Sequence, residues 1–477
     1  MIDPRVASGL RDLTPAQAIP RERLVAAFRA TFASFGFAPI ETPHIERMEV
    51  LTGKGAGSDE VLRQIFEVTN KGGTPGELAL RFDLTVPLAR FVAKNLDEIG
   101  TPFKRYAIGS VFRGERPAKG RFREFTQCDF DTVGTDSVIA DAETVQVLYR
   151  ALKRAGIPRF TIALNDRRIL DGLLDACGVP DRKAAVLRSL DKLAKIGRDA
   201  VAADLTTTGG AGLNASTAAR ILDFVQTGRG GLAVLDAAAA SLATHEKASL
   251  GIANLRTILA LLARANVPAK SIAIDLSLAR GLDYYTGLVL ETTVDGFEGF
   301  GSIASGGRYD NLASLFTSRN LPGVGASIGL DRLLALMSEA GWLDAKATTV
   351  PVLVVNFKGV DPAVPFGLGA QLRKARVGTE VYPDPIQVGK QMGYGSSRGH
   401  LFAVIVGPEE AERNVFNLRT LATRAERKSI PLADLVTTVQ GAIEAAKLAA
   451  KEAKQAARDA ANEARRASRG TSRDSKQ

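Results

Sequence analysis

The chain is poor in cysteine, histidine and tryptophan, and it has no long apolar run. Only two cysteines, Cys128 and Cys177, occur in 477 residues, with no CxxC spacing. That argues against a disulfide framework or a cysteine zinc site and fits a reducing cytoplasm, so a cytoplasmic location is expected. The three histidines, His44, His245 and His400, are scattered and form no HExxH pair, so no metal centre built on histidine is expected. No apolar stretch approaches the roughly 20 residues of a membrane span, and no membrane partner is expected. The N-terminal MIDPRVASGLRDL has no basic region followed by an apolar one, which gives no sign of a signal peptide. The GKG at 53–55 does not complete a GxxxxGK[ST] P-loop.

What is present suits a large soluble protein. The length predicts about three domains, and 45% hydrophobic residues are enough for several packed cores. A formal charge of +10 leans weakly toward nucleic acid.

Helical spacing covers 20–36, with Pro20 at the expected start and Gly36 at the stop. FAPIETPHIE then reads as a strand carrying Pro43, which makes it an edge or interface strand. The runs 103–112 and 122–132 read as an antiparallel hairpin with a long basic connection. An amphipathic helix covers 140–156, and from about 168 to 250 the chain reads as an inserted helical domain. Strand signals return at 271–275 and 284–294, followed by GSIASGGRYDNL and then GVGASIG, which runs into a helix from Leu330. Near Lys346 the composition shifts to alternating strand and helix, a separate α/β domain. The Ala-rich end from 446 reads as a charged helical tail that frays after about Ala467.

Three remote stretches carry the chemistry. In FRGERPAKGRFREFTQCDFD (112–131), strand alternation puts Phe125, Gln127, Asp129 and Asp131 on one face. The Phe125 ring can stack on a base and the carboxylate at the other end can hold a second group. Arg113 ends the partner strand with a fork that suits a phosphate, while Glu115 and Arg121 sit in the loop. RGLDYYTG (280–287) offers a second fixed cation, Arg280, facing Arg113 across a phosphate. GVGASIGLDR (323–332) has the spacing GxGxxxG, which makes a dinucleotide fingerprint weak. Its glycines are expected to let a strand pack tightly against the helix carrying Arg332, which would point at a terminal phosphate.

The FRxE hairpin, the GxGxxxGxDR strand–helix and the proline-bearing strand together resemble the signature motifs of class II aminoacyl-tRNA synthetases. RGLDYYTG, RFDLTVPLARF (81–91), ASGGRYDNL (304–312) and GLRDL (9–13) make the chain similar, within that class, to the histidyl-tRNA synthetases, from about Gly9 to about Lys447.

The resemblance implies an α+β fold. A class II catalytic core with an antiparallel sheet flanked by helices would occupy 1–345, with the helical insertion at about 168–250. A C-terminal α/β anticodon-binding domain would occupy 346–445 and the tail 446–477. It implies ATP as substrate with Mg2+, histidine and tRNA(His) as the other substrates, and a homodimer. Arg113 and Arg280 would act on the α-phosphate, Arg121 and Arg332 on the distal phosphates, and Glu115 and Phe125 on the adenine.

For histidine the matching positions are Asp83, Thr85, Gln127, Asp131, Tyr284, Tyr285, Gly306 and Gly307. Asp131 and Tyr285 would meet the two ring nitrogens, one of which donates and one of which accepts. Asp83, Thr85 and Gln127 would accept from the α-ammonium, with Asp83 and Thr85 on one face by strand alternation. Gly306 and Gly307 would let the substrate approach the sheet backbone. Asp83, Asp131 and Thr286 follow the form of the family common in eukaryotes and archaea, where another bacterial form has Glu, Glu and Asn.

Two neighbouring readings stand beside this one. A histidine-sensing regulatory subunit of ATP phosphoribosyltransferase shares the core but lacks the anticodon domain. Prolyl, threonyl and glycyl synthetases share the class but not RGLDYYTG.

Overall fold

The computed structural model describes residues 1–53, 59–279, 285–344 and 346–474. They pack as two compact units, one formed by Met1–Asp12 with Arg21–Leu343, the other by Leu13–Pro20 with Asp344–Gln477.

In chain order the first unit's strands are β1 (Ala38–Pro39), β2 (Ile45–Arg47), β3 (Glu67–Val68), β4 (Leu78–Leu80), β5 (Phe103–Phe112) and β6 (Glu124–Val133). They continue as β7 (Phe160–Asp166), β8 (Arg229–Gly230), β9 (Ile272–Asp275), β10 (Leu288–Val294), β11 (Ala304–Tyr309) and β12 (Gly323–Gly329). Nine of them form one sheet in the order β1-β5-β6-β12-β11-β10-β7-β9-β8, antiparallel from β5 through β7. A small second sheet has the order β2-β4-β3. The large sheet rests on a core that includes Phe28, Phe32, Phe130, Leu148, Leu164 and Leu255. These come from the helices Pro15–Ser34, Val138–Arg154 and Glu246–Arg264 and from the inner faces of β6 and β7. Helices fill the expected insertion, from Arg167–Ala176 to Glu246–Arg264.

Two expectations about proline are corrected. The first helix begins at Pro15, five residues before the expected start, with Pro20 inside it. The Thr14 carbonyl accepts from Gln17 and Ala18, and the Gln17 side chain accepts from the Thr14 N–H at 3.1 Å. That is a capped start with proline at the first helical position. The edge strand β1 ends at Pro39, and Pro43 falls between β1 and β2 rather than inside a strand.

The second unit carries β13 (Val352–Val354), β14 (Thr379–Val381), β15 (Phe402–Ile405), β16 (Val415–Thr420) and β17 (Glu426–Pro431) in the order β14-β13-β15-β16-β17. Helices Ala363–Lys374 and Val388–Arg398 lie near their expected positions. The short helix Pro408–Glu412 and strand β17 were not expected. The last helix runs unbroken from Leu435 to Asp474, across the expected boundary at 445/446 and beyond Ala467.

Candidate active site

The open face of β6, β12 and β11 floors a cavity of about 480 Å³. Among its lining residues are Asp83, Thr85, Arg113, Glu115, Arg121, Phe125, Gln127, Asp131, Tyr285, Gly306 and Arg332. Eleven of the fourteen site residues expected from sequence therefore meet on one wall system. Arg280 and Tyr284 lie outside the described residues. Gly307, on β11, is not among the lining residues.

Strand alternation on β6 has the expected outcome. Phe125, Gln127, Asp129 and Asp131 face the cavity, while Cys128 and Phe130 are buried in the core behind. At the outer end, Arg113 donates through Nε to the Phe82 carbonyl at 3.2 Å. Its guanidinium lies 4.3 Å from the Phe82 ring centre and 5.1 Å from that of Phe125. Two aromatic rings therefore steady the arginine in a plane. In the connecting loop Arg121 and Glu115 approach to 3.6 Å, and Gly120 rests on Arg332 at the start of the helix Leu330–Glu339. Arg332 donates to the Ser302 carbonyl at 2.7 Å. The three cationic side chains Arg113, Arg121 and Arg332 thus share the cavity.

The inner end is a buried carboxylate wall. Asp131 pairs with Arg105 of β5 at 2.7 Å and accepts from the Tyr309 hydroxyl at 2.6 Å. Arg105 stands opposite Asp131 in the β5–β6 register, and its side chain is wholly buried. Burial raises the Asp131 and Asp83 carboxyls above the usual range, against the pull of Arg105 on both. Asp129, between Gln127 and Asp131, is pushed up to about 7 by burial first and by the neighbouring Asp131 and Asp83 charges. Gln127 donates to the Ser327 hydroxyl at 3.0 Å.

Three sequence expectations are corrected by this geometry. Asp83 and Thr85 reach the cavity, but not on a strand. Thr85 opens the helix Thr85–Ile99, and the Asp83 carboxylate accepts from the N–H groups of Thr85 and Val86 at 3.1 and 3.0 Å. Gly306 lines the cavity, whereas Gly307 serves the protein's own packing. A Cβ at Gly306 would strike the β12 backbone at Gly325 and Ala326, and one at Gly307 would strike the Leu288 carbonyl and the Tyr285 ring. The glycines of β12 do not ease a helix contact either. Gly323 leaves room for the Tyr309 ring and Gly325 for the Asp131 carboxylate. They shape the site from beneath.

With this geometry in view, the comparisons with known proteins are decisive. The family model described as Histidyl-tRNA synthetase matches residues 9–333, and the one described as Anticodon binding domain matches 352–442. The chain belongs to the histidyl-tRNA synthetase family. A histidine--tRNA ligase from Rhodopirellula baltica is 47% identical over 424 residues, covering 89% of this chain and 95% of the relative. One from Wolinella succinogenes is 41% identical over 423 residues, covering 88% and 94%. The crystal structure of a histidyl-tRNA synthetase from Nostoc sp. PCC 7120 superposes with a TM-score of 0.82 at 34% identity, over 92% of this chain and 99% of that one.

The histidyl-tRNA synthetase family thus covers both units. In the second, a groove of about 620 Å³ is lined by residues that include Met392, Ser396, Arg419 and Arg424. Arg398, Arg413 and Lys428 of the same unit do not line it.

Within the first unit, sequence reasoning gave no role to Asp129, Arg105, Tyr309 or Phe82. Alternation along β6 was signal enough for Asp129. Arg105 matters only through the β5–β6 register, which no local pattern shows.

Proposed function

We propose that the chain activates histidine with ATP and transfers it to the 3′ end of tRNA(His). The observation that carries this is the single cavity with arginines at one end and a buried carboxylate wall at the other. In the first step the histidine carboxylate attacks the α-phosphorus of ATP, a bond to pyrophosphate breaks, and histidyl-adenylate remains. Arg113 neutralises charge on the α-phosphate, and Arg280 is assigned the opposite side by resemblance. Arg121 and Arg332 hold the distal phosphates. Phe125 and Glu115 position the adenine. Such chemistry asks of the protein mainly positioning and charge neutralisation. In the second step the terminal ribose hydroxyl attacks the adenylate carbonyl and AMP leaves. No protein nucleophile is used.

Mg2+ takes most of its oxygen ligands from water and substrate phosphates, so it asks for only one or two protein carboxylates. Glu291 lines the cavity from β10 and would hold the ion, which supplies charge neutralisation between phosphates. For the amino acid, Asp131 and Tyr285 take the imidazole edges, and Asp83, Thr85 and Gln127 take the ammonium. A homodimer and a cytoplasmic location complete the reading. The first is what the resemblance implies, through the helix before Gly36 and the segment that carries Pro43. No helix among the described residues is long and apolar enough to cross a membrane.

Charging tests the whole reaction. A tRNA(His) transcript should accept labelled histidine in the presence of ATP, and a tRNA of another identity should not. Histidine binding without either ATP–pyrophosphate exchange or charging would favour the histidine-sensing alternative.

A further inference from the structure

An amino acid entering this cavity brings an ammonium with three N–H donors, each of which needs an acceptor. The Asp83 carboxylate, on the face of it the main acceptor, is partly committed. One of its oxygens already takes the N–H groups of Thr85 and Val86. Asp131 is engaged by Arg105 and Tyr309. Among the described residues, two other buried acceptors on the same strand face have no hydrogen-bond partner: Gln127 Oε1 and Asp129 Oδ1. They stand two residues apart on β6, so their backbones are separated by roughly 7 Å and one small cation can lie between their side chains. Leaving such acceptors unanswered in a buried wall is costly. Both line the cavity.

We propose that Asp129 is a specificity-determining residue, whose carboxylate receives the α-ammonium of the amino acid jointly with Gln127. The assignment rests on the amino-acid-activating reading above and adds a residue to it. The surroundings give the carboxylate its task. Facing Asp129 are the cations Arg105 from β5 and Arg81 from the segment after β4, the carboxylates Asp131 and Asp83, and the Ser327 hydroxyl opposite on β12. Burial and the two carboxylates hold the Asp129 carboxyl near 7, against Arg105 and Ser327. In the empty pocket near neutrality it therefore carries a proton part of the time. An arriving ammonium supplies the missing positive charge, the ionised form takes over, and the proton leaves to solvent.

Calorimetric binding to the 477-residue chain tests this, with L-histidine and its des-amino analogue, imidazolepropionate, as ligands. The unaltered chain should prefer histidine. In Asp129→Asn histidine should bind about 30-fold more weakly, as expected for losing a charged hydrogen-bond partner, while the des-amino compound is nearly unaffected. At pH 7, titrations in buffers of different ionisation enthalpy should show a fraction of a proton released per histidine by the unaltered chain and less by the variant. Asp129→Ser is the second variant, and retained binding of the des-amino compound shows that the pocket is intact.

Equal weakening of both ligands would make Asp129 a packing residue and overturn the proposal, as would unchanged histidine affinity or unchanged proton release. If the unaltered chain bound no histidine, the functional reading itself would fall, and the assignment with it. That result precedes any substitution, so the two failures are distinguishable.

Discussion

Three carboxylates, Asp83, Asp129 and Asp131, share a buried wall, and all three are harder to ionise than in water. For Asp129 this has a consequence for stability. Its folded value of about 7 lies above the ordinary 3.8, so the unfolded chain loses the proton first as pH rises. The protonated carboxyl's contribution to stability is complete below the unfolded value and is lost as pH climbs through the folded one. Asp129→Asn cannot ionise. Its melting temperature should match that of the unaltered chain near pH 4, exceed it increasingly toward pH 7, and hold the excess above. The shift sets an upper bound of about 4 kcal/mol on the gain. Thermal melts across that range would show it, and a constant difference at every pH would contradict it. The same residues show what a sequence can and cannot reveal. The period of two along β6 placed four side chains in the cavity without further help. Asp83 and Thr85 reach the same place by another route, because TVPLARF looks like a strand but has Pro87 where the first turn of a helix tolerates it. Gly323 and Gly325 showed themselves as glycines, but what each makes room for is a cross-strand matter.

At the scale of elements, the loop between β5 and β6 is strapped down by the N-terminal segment. The Arg123 N–H donates to the Gly9 carbonyl at 2.9 Å, and its guanidinium donates to the Ser8 carbonyl at 3.1 Å. Arg11 lies over the Phe122 ring at 3.8 Å and pairs with Asp331, which also accepts from the Thr126 N–H at 2.6 Å. Arg11 therefore joins the loop bearing Arg121 and Glu115 to the helix bearing Arg332, without itself lining the cavity. Arg11→Ala should raise the KM for ATP by about 10-fold and leave the KM for histidine nearly unchanged. Steady-state exchange kinetics separate the two, and equal rises in both would show a general loss of fold instead. GLRDL was visible in the sequence as a family feature, whereas its strapping role depends on a partner 320 residues away. Strand β17 was missed for a simpler reason. ERKSIP lies at a sheet edge with mostly exposed side chains, so it shows no apolar alternation to read.

At the scale of the molecule, the two units divide the task. The first holds the cavity, and the second holds the groove lined by Arg419 and Arg424. Arg419→Ala or Arg424→Ala should lower kcat/KM for tRNA charging by about 5- to 100-fold, the range for a lost nucleic-acid contact, with pyrophosphate exchange unchanged. A net charge of +10 should also make charging fall with added salt more steeply than exchange does. Domain order was legible in the sequence because hydrophobic periodicity changes near Lys346. That Leu13–Pro20 belongs with the second unit was not, since it is a contact far from its place in the chain.

Everything above depends on the arginines and the carboxylate wall serving one reaction on one amino acid. Pyrophosphate exchange into ATP, measured without tRNA and with each amino acid in turn, tests that most directly. Exchange with histidine at least about 100-fold above any other amino acid is the expected result, because a wall of buried hydrogen-bonding groups rejects side chains that leave it unpaired. Exchange supported by a different amino acid, or by none, would contradict it.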